Sequence, residues 1–499
     1  MLNRLHAVEY KWLVAMVFVI GLFMDLLDTT IVNVALPTIG KDFNVTRSTT
    51  LEWVVTGYLI SLAVWIPASG WLGDRIGTKR IFIFALVVFT LGSALCGEAQ
   101  SIGQLIAFRV LQGVGGGMLT PVGTAMLFRA FPPDERAKAS AVLTVPVAIA
   151  PTLGPVVGGL LVDHASWRWI FRVNIPIGLL GIVIAVVFLK EHTEPSAGRF
   201  DLAGFALGGA GLPLVLYALS VAPHDGWTSG TVLATGFGGL ALLVALVVVE
   251  RRVREPILSL GLFRDRMFRN ANIVSFMSNG GMMGLGFLLP LFLQQLRGLS
   301  ATNAGLITFA QAIGVIAMAP VASRLYPVVG PRRMLLAGMI ITAIGTLAFF
   351  WIDLSTNLWL IRAILLFRGI GFGLSIVPMQ AATFARISRQ DSGRASALSS
   401  TNRQVAASVG VAILATVLSD RIASHVSSGT RGLADAAAIQ SATLQGNLDG
   451  FHDAFLAATV LAIVGAAFTM LIHDEDAAET MVREPKSAAA EDKTPVVAH

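Results

Sequence analysis

Apolar runs of about twenty residues, parted by short polar or basic segments, repeat along this sequence from residue 13 onward. A helix of about 20 apolar residues crosses the hydrocarbon core of a bilayer. Such runs lie near 13–36, 50–71, 81–98, 104–127, 138–162, 169–189 and 201–221. Seven more lie near 229–249, 271–294, 303–325, 334–352, 358–382, 400–419 and 452–472. They predict an all-α integral membrane protein with fourteen transmembrane helices, and an even count places both ends on one side. Of the 36 Lys and Arg residues, 26 fall in segments on that side and 7 on the other, among them Lys41 and Arg47. Basic residues collect in the cytoplasm, so both termini are expected to be cytoplasmic in a cell or inner membrane. "MLNRLHAVEYKW" enters the first run without a cleavage site, so that span is expected to remain as an anchor.

Composition agrees. The chain is 55% hydrophobic and 13% charged, against about a quarter charged in soluble domains. A pI near 9.8 raises nucleic acid as a partner. The basic residues are spread over loops rather than gathered in a stripe, which excludes it. The single cysteine, Cys96, excludes an internal disulfide or a multi-cysteine metal site.

The chain also repeats itself. A shift of 253 carries Pro37 onto Pro290, and Leu72, Gly77, Lys79 and Arg80 onto Leu325, Gly330, Arg332 and Arg333. A shift of 256 carries "KASA" (138–141) onto "RASA" (394–397), "GVG" (113–115) onto "GIG" (369–371) and Gly154 onto Gly410. Spans 1–6 therefore pair with spans 9–14, and spans 7–8 are extra. The domains expected are a six-helix bundle over 1–189, two inserted helices with loops over 190–255, a second bundle over 256–473 and a disordered cytoplasmic tail over 474–499. Parallel repeats of this kind are a carrier architecture, with substrate held between the halves near the midplane.

Polar residues inside the spans carry the candidate chemistry. Asp25 and Asp28 share a face of span 1. Two carboxylates close together in low dielectric resist being charged at once, so one is expected to hold a proton and exchange it for a cation. Arg109 in span 4 is expected to face a cavity or a carboxylate, with snorkelling to the outer interface as the alternative. In "GWLGDRIGTKR" (70–80), Gly70, Gly73 and Gly77 permit a tight turn and close helix approach. Asp74 is placed to pair with a cation or to cap a neighbouring helix, and Arg75, Lys79 and Arg80 complete the loop. Span 5 combines Pro146, Pro151 and Pro155, which bend a helix, with Gly154, Gly158 and Gly159, which let another pack closely. Gln112, Asn279, Met282 and Arg368 are candidates for a permissive substrate cavity. Arg251, Arg252 and Arg254 form a basic cluster suited to anionic lipid headgroups. A short surface helix is expected within the outer loop 420–451.

Six stretches in order, "LDTTIVNVALP" (27–37), "GWLGDRIGTKR", "RVLQGVGGG" (109–117), "LGPVVGG" (153–159), "WRWIFRVNIPIG" (167–178) and "FDLAG" (200–204), resemble the major facilitator superfamily and, within it, the fourteen-span drug:proton antiporters. The resemblance covers roughly residues 10 to 472. It implies proton coupling at Asp28 and Arg109, a conformational latch in the 70–80 loop and, from the GPxxGG pattern, antiport rather than symport. Asp25 has no counterpart in the family pattern and stands on physics alone. In the second repeat Asp74 corresponds to Pro327, so the latch is expected on one half only.

The chain has no GxxxxGK[ST], no HExxH and no extramembrane domain large enough to hydrolyse ATP. An enzyme is not expected, and no cofactor. The energy source is an ion gradient; buried carboxylates favour the proton, with sodium left open. The reading is an exporter exchanging protons for lipophilic, often cationic compounds. A metabolite, lipid or siderophore carrier on the same scaffold, or a non-transporting sensor, is the alternative. Membrane lipids are expected contacts, and a periplasmic adaptor, used by some related exporters, is an option.

Overall fold

In hydrocarbon every backbone N–H and C=O must be satisfied within the protein, which leaves the helix as the economical way for each apolar run to cross. The computed structural model describes residues 9–45, 48–194, 198–253, 256–432 and 434–481. Arg47, Arg254 and the tail from 482 to 499 lie outside them. The described residues contain fourteen helices long and apolar enough to cross a membrane. They are α1 (Tyr10–Asp42), α2 (Ser48–Ile76), α3 (Thr78–Gly97), α4 (Ile102–Ala130), α5 (Arg136–His164), α6 (Asn174–Phe188) and α7 (Leu202–Asp225). The rest are α8 (Gly230–Glu250), α9 (Arg266–Leu291), α10 (Ala301–Val329), α11 (Pro331–Leu347), α12 (Leu358–Thr383), α13 (Ser392–Gly429) and α14 (Ala436–Phe468).

Packing follows the sequence repeat. In the first half α1 lies on α4, α5 and α6, while α4 lies on α2 and α3. In the second half α9 lies on α12, α13 and α14, and α12 on α10 and α11. Gly154 and Gly410, matched by the shift, have the same use: a Cβ on Gly154 would strike Thr30 of α1, and one on Gly410 would strike Gly280 of α9. The halves meet along α5 with α10 and α2 with α13. The inserted α7 packs against both α2 and α13, and α8 packs on α7, so the insertion covers one seam between the halves.

Two expectations about the second half are corrected. Among its described residues, the loop 420–451 holds no separate surface helix. α13 runs on to Gly429 and α14 starts at Ala436, so "AAAIQSATLQG" is the first three turns of α14, capped by the Asp435 side chain on Ala438 N. The segment from Asp474 is ordered up to Met481 in two short helical turns. Asp476 pairs with Arg266 and Arg386, Asp474 accepts from Arg332 N, and Thr480 bonds Tyr326. An acidic stretch that finds basic partners across a crevice does not stay a solvated tail.

Candidate functional site

The two acids of α1 sit one turn apart and look in different directions. Asp25 lines a central cavity of about 580 Å³ between the halves. Its Oδ1 accepts from the Tyr58 hydroxyl at 2.5 Å and its Oδ2 from Thr120 Oγ1 at 3.3 Å. Asp28 is fully buried behind it. Its Oδ2 meets Arg109 Nη1 at 2.5 Å, while its Oδ1 accepts from Gln112 Nε2 at 2.9 Å and Asn174 Nδ2 at 3.3 Å.

Arg109 is 1% exposed, so it does not snorkel. It also donates to Val54 O at 3.0 Å and Gln112 Oε1 at 2.8 Å. Its guanidinium lies 4.1 Å from the centre of the Tyr58 ring. Tyr58 therefore joins the two acids, with its ring under the cation that holds Asp28 and its hydroxyl on Asp25. A buried ion pair is tolerated where further hydrogen bonds saturate both partners, and Gln112, Asn174 and Val54 O supply them.

Two members of this network escape a reading of sequence. Tyr58 sits in the run "TGYLISL" and reads as an apolar-span aromatic, although a buried Tyr hydroxyl seeks a partner. Asn174 lies within the quoted "WRWIFRVNIPIG" and could have been found as a polar residue opening span 6. Gln112, expected at the substrate cavity, is instead fully buried in the Asp28 network. Its repeat counterpart Arg368 is also away from the cavity, donating to Thr346 Oγ1 at 3.0 Å and Gln311 Oε1 at 2.6 Å inside the second half. In both cases the side chain leaves α4 or α12 toward the interior of its own bundle. Asn279 and Met282 do line the cavity. So does Arg403, which the basic-residue tally counts among the 26 in cytoplasmic segments although the apolar run 400–419 includes it; α13 starts at Ser392 and carries it well into the protein.

At the end of the bundle bearing the 70–80 loop, the halves are sealed together. Asp74 Oδ1 meets Arg129 Nη2 at 2.5 Å, and a Cβ on Gly393 at the start of α13 would strike the same carboxylate. Asp74 thus lies between Arg129 and the first turn of α13. A Cβ on Gly70 would sit 2.7 Å from Gly393 O, whereas at Gly73 the nearest atoms are at ordinary contact, 3.6 Å and beyond. Arg75 is exposed. Gly77, at φ 120°, begins a turn closed within the first half: Glu191 accepts from Lys79 N at 3.0 Å and Arg80 N at 3.3 Å. Two further arginines bridge the halves. Arg129 Nε donates to Arg389 O at 2.9 Å, and Arg136 donates to the carbonyls of Phe384, Ala385 and Ile387 just past α12. Phe128 stacks on Phe384 at 4.4 Å. Arg129 and Arg136 read as ordinary cytoplasmic loop charges, which is why their bridging role is invisible in sequence.

The glycine and proline face of α5 is two-sided. Gly154 and Gly158 lie against Thr30 and Ile31, next to Asp28, while Pro155 and Gly159 lie against Gly305 and Thr302 of α10 in the other half. One helix thus touches both the acid-bearing helix and the opposite bundle.

The family model described as Major Facilitator Superfamily matches residues 18–411. A multidrug resistance protein B homolog of Mycobacterium tuberculosis is 36% identical over 406 residues, 81% of this chain and 75% of that protein. A putative multidrug resistance protein MdtD of Serratia proteamaculans is 32% identical over 480 residues, covering 96% of this chain and 97% of that one. The crystal structure of the human organic anion transporter MFSD10 (TETRAN) superposes with a TM-score of 0.64 at 15% identity, over 92% of this chain and 99% of that one, a likeness of fold. Two six-helix halves, a cavity between them and a matching family model lead to one conclusion: the chain belongs to the Major Facilitator Superfamily and is a multi-pass membrane transporter.

Proposed function

We propose that this transporter is a proton-coupled exporter of lipophilic, often cationic compounds, working by alternating access in a cell or inner membrane with both termini cytoplasmic. The observation that carries the reading is the division of labour between the two acids. Asp25 is open to the cavity and can meet a cationic substrate. Asp28 is withdrawn into a saturated ion pair with Arg109, linked to Asp25 through Tyr58. A proton arriving on the acids weakens the Asp28–Arg109 attachment and frees α1 to move against α5. A cation entering the cavity displaces that proton, since two positive charges on one small site repel.

The seal around Asp74, Arg129 and Arg136 is the inner gate of one state, and its opening is the other half of the cycle. No cofactor takes part; the proton gradient supplies the energy. Relatives named for multidrug resistance support a drug-like substrate range. The partners are small lipophilic substrates and protons, in contact with membrane lipid.

The test uses inside-out vesicles carrying the protein, with acid inside. Uptake of a fluorescent lipophilic cation is followed for the intact protein and for Asp28→Asn and Asp25→Asn. Gradient-driven uptake that disappears in both variants is the expected result. Equal uptake in all three would remove span 1 from coupling.

A further inference from the structure

The two walls of the central cavity differ in chemistry. The first half contributes an apolar surface, including Leu22, Leu26, Leu59 and Ile66, with Asp25 as its ionisable group. The second half contributes Asn279, Gln380, Ser400, Gln404 and, among them, Arg403. Arg403 lies eleven residues into α13, about 16 Å along the helix, and lines the cavity.

Arg403 is held unlike the other inward-facing arginines. Arg109 has a carboxylate, an amide and a carbonyl; Arg129 has Asp74 and a carbonyl; Arg136 has three carbonyls; Arg368 has Gln311 and Thr346. Arg403 donates to Ser400 Oγ at 2.8 Å, one turn back on its own helix, and among the described residues no carboxylate lies within ion-pair distance of it. A guanidinium carries five N–H donors and no acceptor. Ser400 takes one of them, and Arg403 lines the cavity, so its charge stands there without a fixed counter-ion. A planar fork of this kind matches a carboxylate or sulfonate in two parallel hydrogen bonds.

We propose that Arg403 anchors the acidic group of lipophilic organic anions, so that the cavity accepts amphiphilic carboxylates and sulfonates as well as cations. The acid group docks on Arg403 and the apolar body lies along the Leu22–Leu59 wall. In a zwitterion the amine reaches Asp25. The proposal concerns the same cavity as the exporter reading and refines its substrate class, and binding separates the two.

The experiment measures binding of two permanently charged radiolabelled probes, an aryl sulfonate and a lipophilic phosphonium, to the immobilised full-length protein. Arg403→Gln is expected to weaken sulfonate binding at least tenfold relative to phosphonium, with Arg403→Lys restoring much of the difference. An unchanged ratio in Arg403→Gln overturns the proposal, as does an intact protein that binds phosphonium but not sulfonate. Should Arg403→Gln fail to fold, the intact protein still decides. The sulfonate is expected to bind at least tenfold more tightly than the matching neutral sulfonamide, and equal affinities overturn the proposal. Sulfonate binding that depends on Arg403, without gradient-driven uptake of either probe in vesicles, upholds the anion site and rejects the proton-exchange reading.

Discussion

α4 and α12 occupy matching places in the two halves, and each buries an arginine against its neighbours. In the first half Arg109 is neutralised by Asp28. In the second, Arg368 has the amide of Gln311 and the hydroxyl of Thr346. The repeat offsets make the difference concrete: 253 carries Asp25 onto Ser278, Asp28 onto Gly281 and Tyr58 onto Gln311. The same scaffold therefore pairs its buried arginine with a carboxylate in one half and with neutral acceptors in the other. On the proposed mechanism the first half needs a carboxylate to gain and lose a proton, and the second does not. The helix ends, by contrast, stay alike. Gly77 and Gly330 both have positive φ, 120° and 83°, and each begins a helix whose first amides are met by an acid, Glu191 or Asp474.

The largest expected effect comes from erasing that contrast. Asp28→Asn leaves Arg109 with neutral acceptors, as Arg368 has, and gradient-driven uptake is expected to fall to that of empty vesicles. Removing one partner of a buried pair also costs about 3–5 kcal/mol, read as a lowered thermal midpoint in detergent. A midpoint equal to that of the intact protein would mean neutral acceptors suffice, and the contrast between the halves would lose its energetic meaning.

Opening the seal between the halves ranks next. Arg136→Gln deletes charged hydrogen bonds to the carbonyls after α12. Gln380→Cys, in a Cys96→Ala background, reports access to the cavity from the end that bears the 70–80 loop. Its labelling rate is expected to rise about tenfold, the equivalent of about 1.4 kcal/mol. No change would show that α2 and α13 hold the gate without Arg136.

Within the second half, Thr346→Val removes an acceptor from buried Arg368 and is expected to cost about 2 kcal/mol of stability while leaving the proton dependence of uptake intact. A shifted pH profile would mean the second half shares in coupling. Smaller and symmetric are the caps: Glu191→Ala and Asp474→Ala are each expected to cost about 1 kcal/mol. A large loss from one alone would break the likeness of the helix ends.

The smallest effect concerns pH. Arg266, hydrogen-bonded to Asp476, holds that carboxyl below the usual aspartate range, with Arg386 adding to it. A lowered folded value stabilises the docked segment above the ordinary pKa, about 3.9, and the gain is lost as pH falls through the lowered one. Hydrogen exchange of residues 474–481, corrected for its intrinsic pH dependence, should therefore stay constant from about pH 5 to 8 and quicken below about pH 4. Protection that changes near neutral pH would assign the docking to another group.

Much of this was legible in the chain. Apolar run length, basic-residue bias and internal offsets come from local composition, which hydrocarbon reads directly, so the number of spans, the pairing of halves and the two inserted helices need no coordinates. Asp25, Asp28, Arg109 and Asp74 stood out because a charge in an apolar run is costly and therefore conspicuous. What the sequence could not reveal was direction and partnership. Whether Asp28 or Asp25 faces the cavity, whether Gln112 and Arg368 point inward or across, and which loop arginines reach the other half depend on how fourteen helices are rotated and packed. Arg403 shows the limit most plainly. Counted with the basic segments it reads as a loop charge at the edge of an apolar run, because the polar first turns of α13 pack on the opposite half, and only tertiary structure reports that.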